Sequence, residues 1–197
     1  MPSLQIRLNQ YLQSKSEAET DPRILLHSCC APCSCAIIDV FLETSVVPTI
    51  FFYNPNIHPH QEYLKRKEEN IRYAAKRNLS FVDGDYDAEN WHIAVQSLEM
   101  EPERGKRCVV CFQKRLTATA EYAFKKDFQL FATSLAISRW KNIDQVDTCG
   151  EDAASKYPGL NYFRYPWHQY THKMNAITKE EIFYKQNYCG CVYSKKY

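Results

Sequence analysis

Thiols are the chemistry this sequence offers most plainly. Cys29, Cys30, Cys33 and Cys35 fall within seven residues of "HSCCAPCSC", and Cys108 and Cys111 form a C-x2-C pair in "RCVVC". Cys189 and Cys191 flank one glycine in "YCGCVYS", and Cys149 stands alone. Two thiols three residues apart on a helix share a face and converge on one metal. The plain alternative for Cys108 and Cys111 is a pair of half-buried core residues. Arg104, Lys106 and Arg107 beside them, with the helix N-terminus, stabilise thiolates. Cys29 and Cys30 would point to opposite faces of a regular strand, but a turn at Pro32 lets both face one rim. Bridging such neighbours strains the peptide between them, so ligation suits them better than a disulfide.

Cys29, Cys30, Cys108 and Cys111 are therefore a candidate four-thiolate set. Four thiolates suit structural zinc or an iron–sulfur cluster. The adjacent pair is unlike the two C-x2-C knuckles of a zinc ribbon, which favours a cluster. Cys33, at a helix start, is a candidate ligand for a second metal or for the cluster's edge. Cys35 and Cys149 read as small packing residues. Gly190 permits a tight ring between Cys189 and Cys191, and a C-x-C disulfide is strained and easily reduced. That suits an electron relay better than a brace; two free thiols in the tail are the alternative.

These thiols must be held by neighbouring elements. "ILLHS" (24–28) reads as a buried strand, and Pro32 opens a helix with Ile37, Ile38, Phe41 and Leu42 as its stripe. Further strands are expected at 46–56, 79–87, 128–135 and 161–167. Helices are expected at 60–78, 88–100, 106–126 and 138–156. Residues 1–22 read as a loosely attached helical arm ending at Asp21-Pro22, and 23–197 as one α/β domain with a cysteine-bearing tail. The alternation predicts a Rossmann-like parallel sheet of about five strands flanked by helices. Ligands of such sheets sit at the carboxyl ends of the strands. "HSCCAPC", "YNPNIHPH", "DGDYD" and "TSLAISRWKN" all fall on that rim.

Composition narrows the class further. Of the 197 residues, 45% are hydrophobic and 24% charged, which excludes a disordered chain. The N-terminus has no continuous apolar segment of the secretory kind, and no apolar run is long enough to span a bilayer. A cytoplasmic location without membrane contact is expected. Nine cysteines in a reducing compartment favour metal or redox chemistry over a disulfide framework. A net charge of +2 neither demands nor excludes nucleic acid. Basic clusters at 65–67, 104–107, 114–115, 125–126 and 195–196 read singly as solvated helix faces.

With its motifs assembled, the chain resembles the QueH family of epoxyqueuosine reductases. The resemblance rests on "LLHSCCAPCS", "FFYNPNIHPHQEYLKRKEE", "GDYD" with Trp91, "RCVVCFQKRL", "FATSLAISRWKN" and "YCGCVYS", in order from about residue 24 to 194. It implies a fold of the adenine-nucleotide alpha-hydrolase type. It implies a [4Fe-4S] cluster on Cys29, Cys30, Cys108 and Cys111, and a second, mononuclear iron with Cys33 as local candidate ligand. A redox-active pair at Cys189 and Cys191 and an unidentified electron donor are implied too. The implied reaction removes the epoxide oxygen of epoxyqueuosine at the tRNA wobble position, giving queuosine. Nucleotide-binding relatives of this fold carry a Gly-rich loop after the first strand, where this chain has thiols and no glycine between Ile24 and Asp39. ATP binding at that loop is therefore disfavoured.

On that reading His58, Asp85 and Tyr53 are rim candidates for the proton donor. Thr133, Ser134, Arg139 and Lys141 form a polar cluster suited to a tRNA phosphate. Trp91, Tyr53 and Trp140 are available to stack anticodon bases. The rival readings are a zinc-stabilised tRNA-binding module and a general thiol–disulfide oxidoreductase working through Cys189 and Cys191.

Overall fold

The computed structural model describes residues 4–12 and 23–195. In chain order the elements are α1 (Leu4–Leu12), β1 (Ile24–His27), α2 (Ala31–Glu43), β2 (Pro48–Phe52), α3 (His60–Lys76), β3 (Phe81–Asp83) and α4 (Ala88–Ala94). They continue with α5 (Lys106–Lys125), β4 (Leu130–Thr133), α6 (Ile143–Ala154), β5 (Asn161–Tyr162) and α7 (Thr171–Glu180).

The five strands form one parallel sheet in the order β3-β2-β1-β4-β5. β1 is central and wholly buried, with Ile24 opposite Pro48 and Leu130, and His27 opposite Phe51 and Thr133. Strands covered on both faces read as unbroken apolar runs, as "ILLH" and "LFAT" do. α2 packs on α3 and α7, while α5 packs on α4 and α6, so helices clothe both faces. From β1 the chain moves outward to β2 and β3, then returns to β1's other side as β4. The crevice above β1 and β4 is the switch point where such sheets bind ligands.

All five strands are shorter than expected. The fifth stops at Tyr162, although Phe163 N–H still reaches Phe131 O at 2.7 Å. Beyond it Pro166, with no N–H to donate, starts a 3-10 turn that buries Trp167. The helix expected over 138–156 begins only at Ile143, after a 3-10 turn at Ser134–Ile137, and Asn142 caps it by accepting Gln145 N–H. α1 is not a loose arm within its described residues. Leu4 and Leu8 are buried in the main core, and Arg7 Nη1 donates to Arg164 O. Asp21-Pro22 lies outside the described residues.

Candidate active site

Cys30 leaves β1 in extended conformation (φ −172°, ψ 157°) as the N-cap of α2, with Pro32 in the first turn. This puts three thiols at one helix start. The Sγ atoms of Cys29, Cys30 and Cys33 lie within 4.8 Å of one another, with Cys29 and Cys30 3.8 Å apart. Cys108 and Cys111 occupy the first two turns of α5, behind Gly105 as N-cap. All five line one cavity of about 780 Å³, together with Cys189 and Cys191 from the tail. Seven of the nine cysteines thus meet above the switch point, five of them at the N-termini of two helices whose dipoles favour thiolate.

The thiols differ in their readiness to ionise. Hydrogen bonds from Cys30 and then Cys33 hold the Cys29 thiol well below its ordinary range. The contact with Cys29 pushes Cys30 up to about 12, and contacts with Cys29 and Cys30 push Cys33 up, so Cys29 carries the first negative charge of the trio. Burial raises Cys108 and Cys111, and raises Cys191 to about 12. Two sulfurs receive defined donors. The Ser134 hydroxyl accepts Cys29 N–H at 2.9 Å and donates to Cys29 Sγ at 3.2 Å, and Arg104 N–H donates to Cys108 Sγ at 3.3 Å.

Seven arginines and lysines line the cavity against one carboxylate, Glu103. Burial opposes the charge of Lys141, yet the thiols of Cys189, Cys29 and Cys33 beside it raise its pKa above the ordinary lysine value. Asn56 Nδ2 and Oδ1, Arg107 Nε, Arg115 Nε and Gln186 Nε2 are buried without partners, and all four residues line the cavity, while Trp91 donates to the Cys111 sulfur. The unmet groups are four donors and one acceptor, each costing about 1–3 kcal/mol if left so. The walls are built around something anionic.

Buried polar groups fix the surrounding loops. Asn54, from the loop after β2, donates to Ser28 O at 2.9 Å and accepts from Arg115 of α5. Arg66 of α3 pairs with Glu62 at 2.7 Å and donates to Tyr188 O and Cys189 O, each at 3.2 Å. His58 N–H donates to Gly190 O at 2.7 Å, and the Tyr188 hydroxyl returns to His58 O. Arg107 Nη1 pins the loop before α5 through the carbonyls of Leu98, Glu99 and Glu101 at 2.6–2.9 Å. Sequence reasoning missed Asn54, Asn56, Arg66 and Arg115 as site residues. Helical phase carries a signal for two of them. Arg66 follows Tyr63 and precedes Asn70 on the buried stripe of α3, and Arg115 lies between Cys111 and Thr119 on that of α5.

Several expected roles change. Thr133 and Ser134 are fully buried and cannot meet a phosphate. Thr133 Oγ1 accepts Leu135 N–H and lies 2.7 Å from His27 Nδ1, while Ser134 serves Cys29. Because Tyr53 O can only accept, His27 Nε2 carries that ring's hydrogen. Burial and Arg115 depress the ring's pKa to about 3, so it stays neutral. Arg139 and Lys141 do line the cavity. Tyr53, His58 and Asp85 do not. Tyr53 donates to Asp87 at 3.2 Å, with burial and Asp87 raising its pKa; burial and His92 lower His58; Asp85 is exposed at the end of β3. Trp91 is 1% exposed, so no base stacks on it. Cys35 and Cys149 are buried packing residues, as expected.

The site fits an iron–sulfur cluster on the chemistry of its donors: thiols at two helix starts, inside walls with unmet hydrogen-bond donors. A structural zinc site is closed by its four ligands, whereas these thiols open onto a cavity of nucleoside size.

The model of the family described as epoxyqueuosine reductase QueH matches residues 24–197. The chain is 51% identical over 174 residues to the epoxyqueuosine reductase QueH of Acinetobacter baylyi, spanning 87% of this chain and 80% of that protein. It is 51% identical over 174 residues to that of Haemophilus influenzae, spanning 87% and 71%. Among solved structures, the U34-tRNA thiolase NcsA from Methanococcus maripaludis with its [4Fe-4S] cluster superposes with TM-score 0.60 at 9% identity, over 98% of this chain and 67% of that one. That likeness shows the fold, a Rossmann-like parallel sheet flanked by helices.

Proposed function

The chain belongs to the epoxyqueuosine reductase QueH family, and on that premise we propose that it removes the epoxide oxygen of epoxyqueuosine at the tRNA wobble position, giving queuosine. Both epoxide C–O bonds break, the two carbons form a double bond, and the oxygen leaves as water with two protons and two electrons. The observation that carries this reading is the convergence of seven cysteines on one nucleoside-sized cavity at the switch point. We assign the chemistry to residues 23–197. Nine free thiols suit the reducing cytoplasm, and among the described residues no helix is long and apolar enough to cross a membrane.

Cys29, Cys30, Cys108 and Cys111 would hold a [4Fe-4S] cluster, with Cys33 beside them for a second iron. When bound, the iron supplies single electrons and Lewis acidity at the epoxide oxygen. The chain's own groups do the rest. Ser134 and Arg104 direct hydrogen bonds at Cys29 and Cys108 and stabilise their negative charge. The Lys141 ammonium lines the cavity and stabilises negative charge developing on the leaving oxygen. Cys189 is exposed and Cys191 buried. In the disulfide form, an external dithiol attacks Cys189 and Cys191 leaves, taking up a proton to become a thiol; the donor's second thiol then resolves the mixed disulfide, delivering two electrons.

Anaerobic purification with iron and sulfide analysis tests the cofactor. The native protein should carry iron, sulfide and broad visible absorbance, and Cys29→Ala or Cys108→Ala should lose them. Zinc alone, without that absorbance, would contradict the proposal.

A further inference from the structure

Of the three aromatic residues the sequence offers for base stacking, Trp91 and Tyr53 are sealed in the interior, while Trp140 is 65% exposed. Trp140 also lines the cysteine cavity, so it stands at the mouth. Tyr184, another exposed aromatic of the lining, is engaged through its hydroxyl with Glu62 at 3.0 Å. The Arg139 guanidinium lies 4.7 Å from the Trp140 ring centroid and occupies one face. Arg104 holds the loop in place: its Nε donates to Trp140 O at 3.0 Å and its Nη2 to Arg139 O at 3.1 Å. The Arg104 carbonyl in turn accepts from Gln145 Nε2 of α6 at 3.0 Å, and its N–H donates to Cys108 Sγ. A large exposed ring is thus tied through one residue to a cysteine of the reaction centre. An indole that costs solvation, fixed at a cationic mouth, fits a planar and electron-rich partner on an anionic chain.

We infer that Trp140, backed by Arg139, is the platform on which the unpaired base flanking the wobble nucleotide stacks, holding the anticodon loop while the wobble base enters the cavity. The inference rests on the tRNA reading above. Seven cations against one carboxylate in the lining favour RNA over a protein partner.

Reconstituted full-length protein is titrated anaerobically with an anticodon stem-loop RNA carrying epoxyqueuosine, and with the same RNA made abasic at the flanking position. Tryptophan emission of the native protein should fall on binding, because Trp91 and Trp167 are buried. Trp140→Ala should weaken binding of the intact RNA by about 5- to 150-fold, the range for one stacked base. Trp140→Phe should keep affinity within about threefold, and the abasic RNA should bind native protein and Trp140→Ala alike. Cluster absorbance of both variants should match the native protein. If Trp140→Ala binds intact RNA as tightly as native protein and still reduces the wobble base, the platform is wrong and the tRNA reading stands. Unchanged RNA binding with slowed reduction by a protein electron donor would overturn it in favour of donor docking. No binding of intact RNA by native protein would overturn both.

Discussion

Arg66 should govern whether the C-x-C tail stays closed over the cavity. Its side chain is buried and serves two masters: Glu62 on its own helix, and the carbonyls of Tyr188 and Cys189 in the tail. A hydrogen bond from a charged donor contributes roughly 1.5–3 kcal/mol. Both carbonyl contacts are 3.2 Å, long enough to take the low end, so Arg66→Met should cost tail closure about 3 kcal/mol. At about 1.4 kcal/mol per decade, that is a roughly hundredfold rise in the open population. The His58 amide reports it directly, since its acceptor is Gly190 O at 2.7 Å. Its hydrogen exchange should accelerate about a hundredfold in Arg66→Met, and buried Cys191 should become open to alkylation. Adding Glu62→Gln removes the buried carboxylate left without its cation on α3 and should recover global stability but not the exchange rate. Exchange at His58 within about threefold of native would refute the clamp.

Removing the Ser134 hydroxyl takes a hydrogen bond from Cys29 Sγ. Donors to cluster sulfurs favour the reduced, more negative state, so Ser134→Ala should lower the midpoint potential in an anaerobic redox titration without loss of iron. Gly190 has φ +102°, and a Cβ there would meet Ile57 Cγ1 at 2.9 Å and Arg66 Nη1 at 3.2 Å. Gly190→Ala should therefore open the tail by the same exchange readout, at a backbone cost of about 1–2 kcal/mol. Glu181 has its pKa lowered from 4.5 by the hydrogen bond from Lys76 and by Arg72. A depressed folded pKa contributes stability above the unfolded value and loses it as pH falls through the folded one. Glu181→Gln should thus lower the melting temperature at neutral pH, corresponding to under about 1 kcal/mol because both cations are half-exposed, and the difference should vanish in acid.

Much of the fold is legible because its signals are local. "ILLH" and "LFAT" read as buried strands since both faces of the sheet are covered, and Pro32 marks the α2 start. The cysteine constellation is legible because its spacing survives folding: two groups sit at the starts of α2 and α5, and the third sits in the tail. What escaped depends on side-chain direction. Lys65-Arg66-Lys67 reads as a solvated run, yet only the middle residue shares the stripe of Tyr63 and Asn70 and turns inward. Arg107 and Arg115 do the same in their own clusters. Thr133 and Ser134 looked like a phosphate site because they end a strand, but β4 lies beside the central strand and its end is sealed by His27 and Cys29. Tyr53, His58 and Asp85 follow strands on the rim, yet their side chains leave the cavity for Asp87, His92 and solvent.

The most direct test of the central claim is turnover itself. Anaerobically reconstituted protein is reduced in the presence of epoxyqueuosine-containing tRNA, and the digested nucleosides are analysed by mass. The account predicts loss of one oxygen from epoxyqueuosine to give queuosine, abolished by Cys108→Ala. Epoxyqueuosine unchanged, with the cluster loaded and the RNA bound, would contradict it.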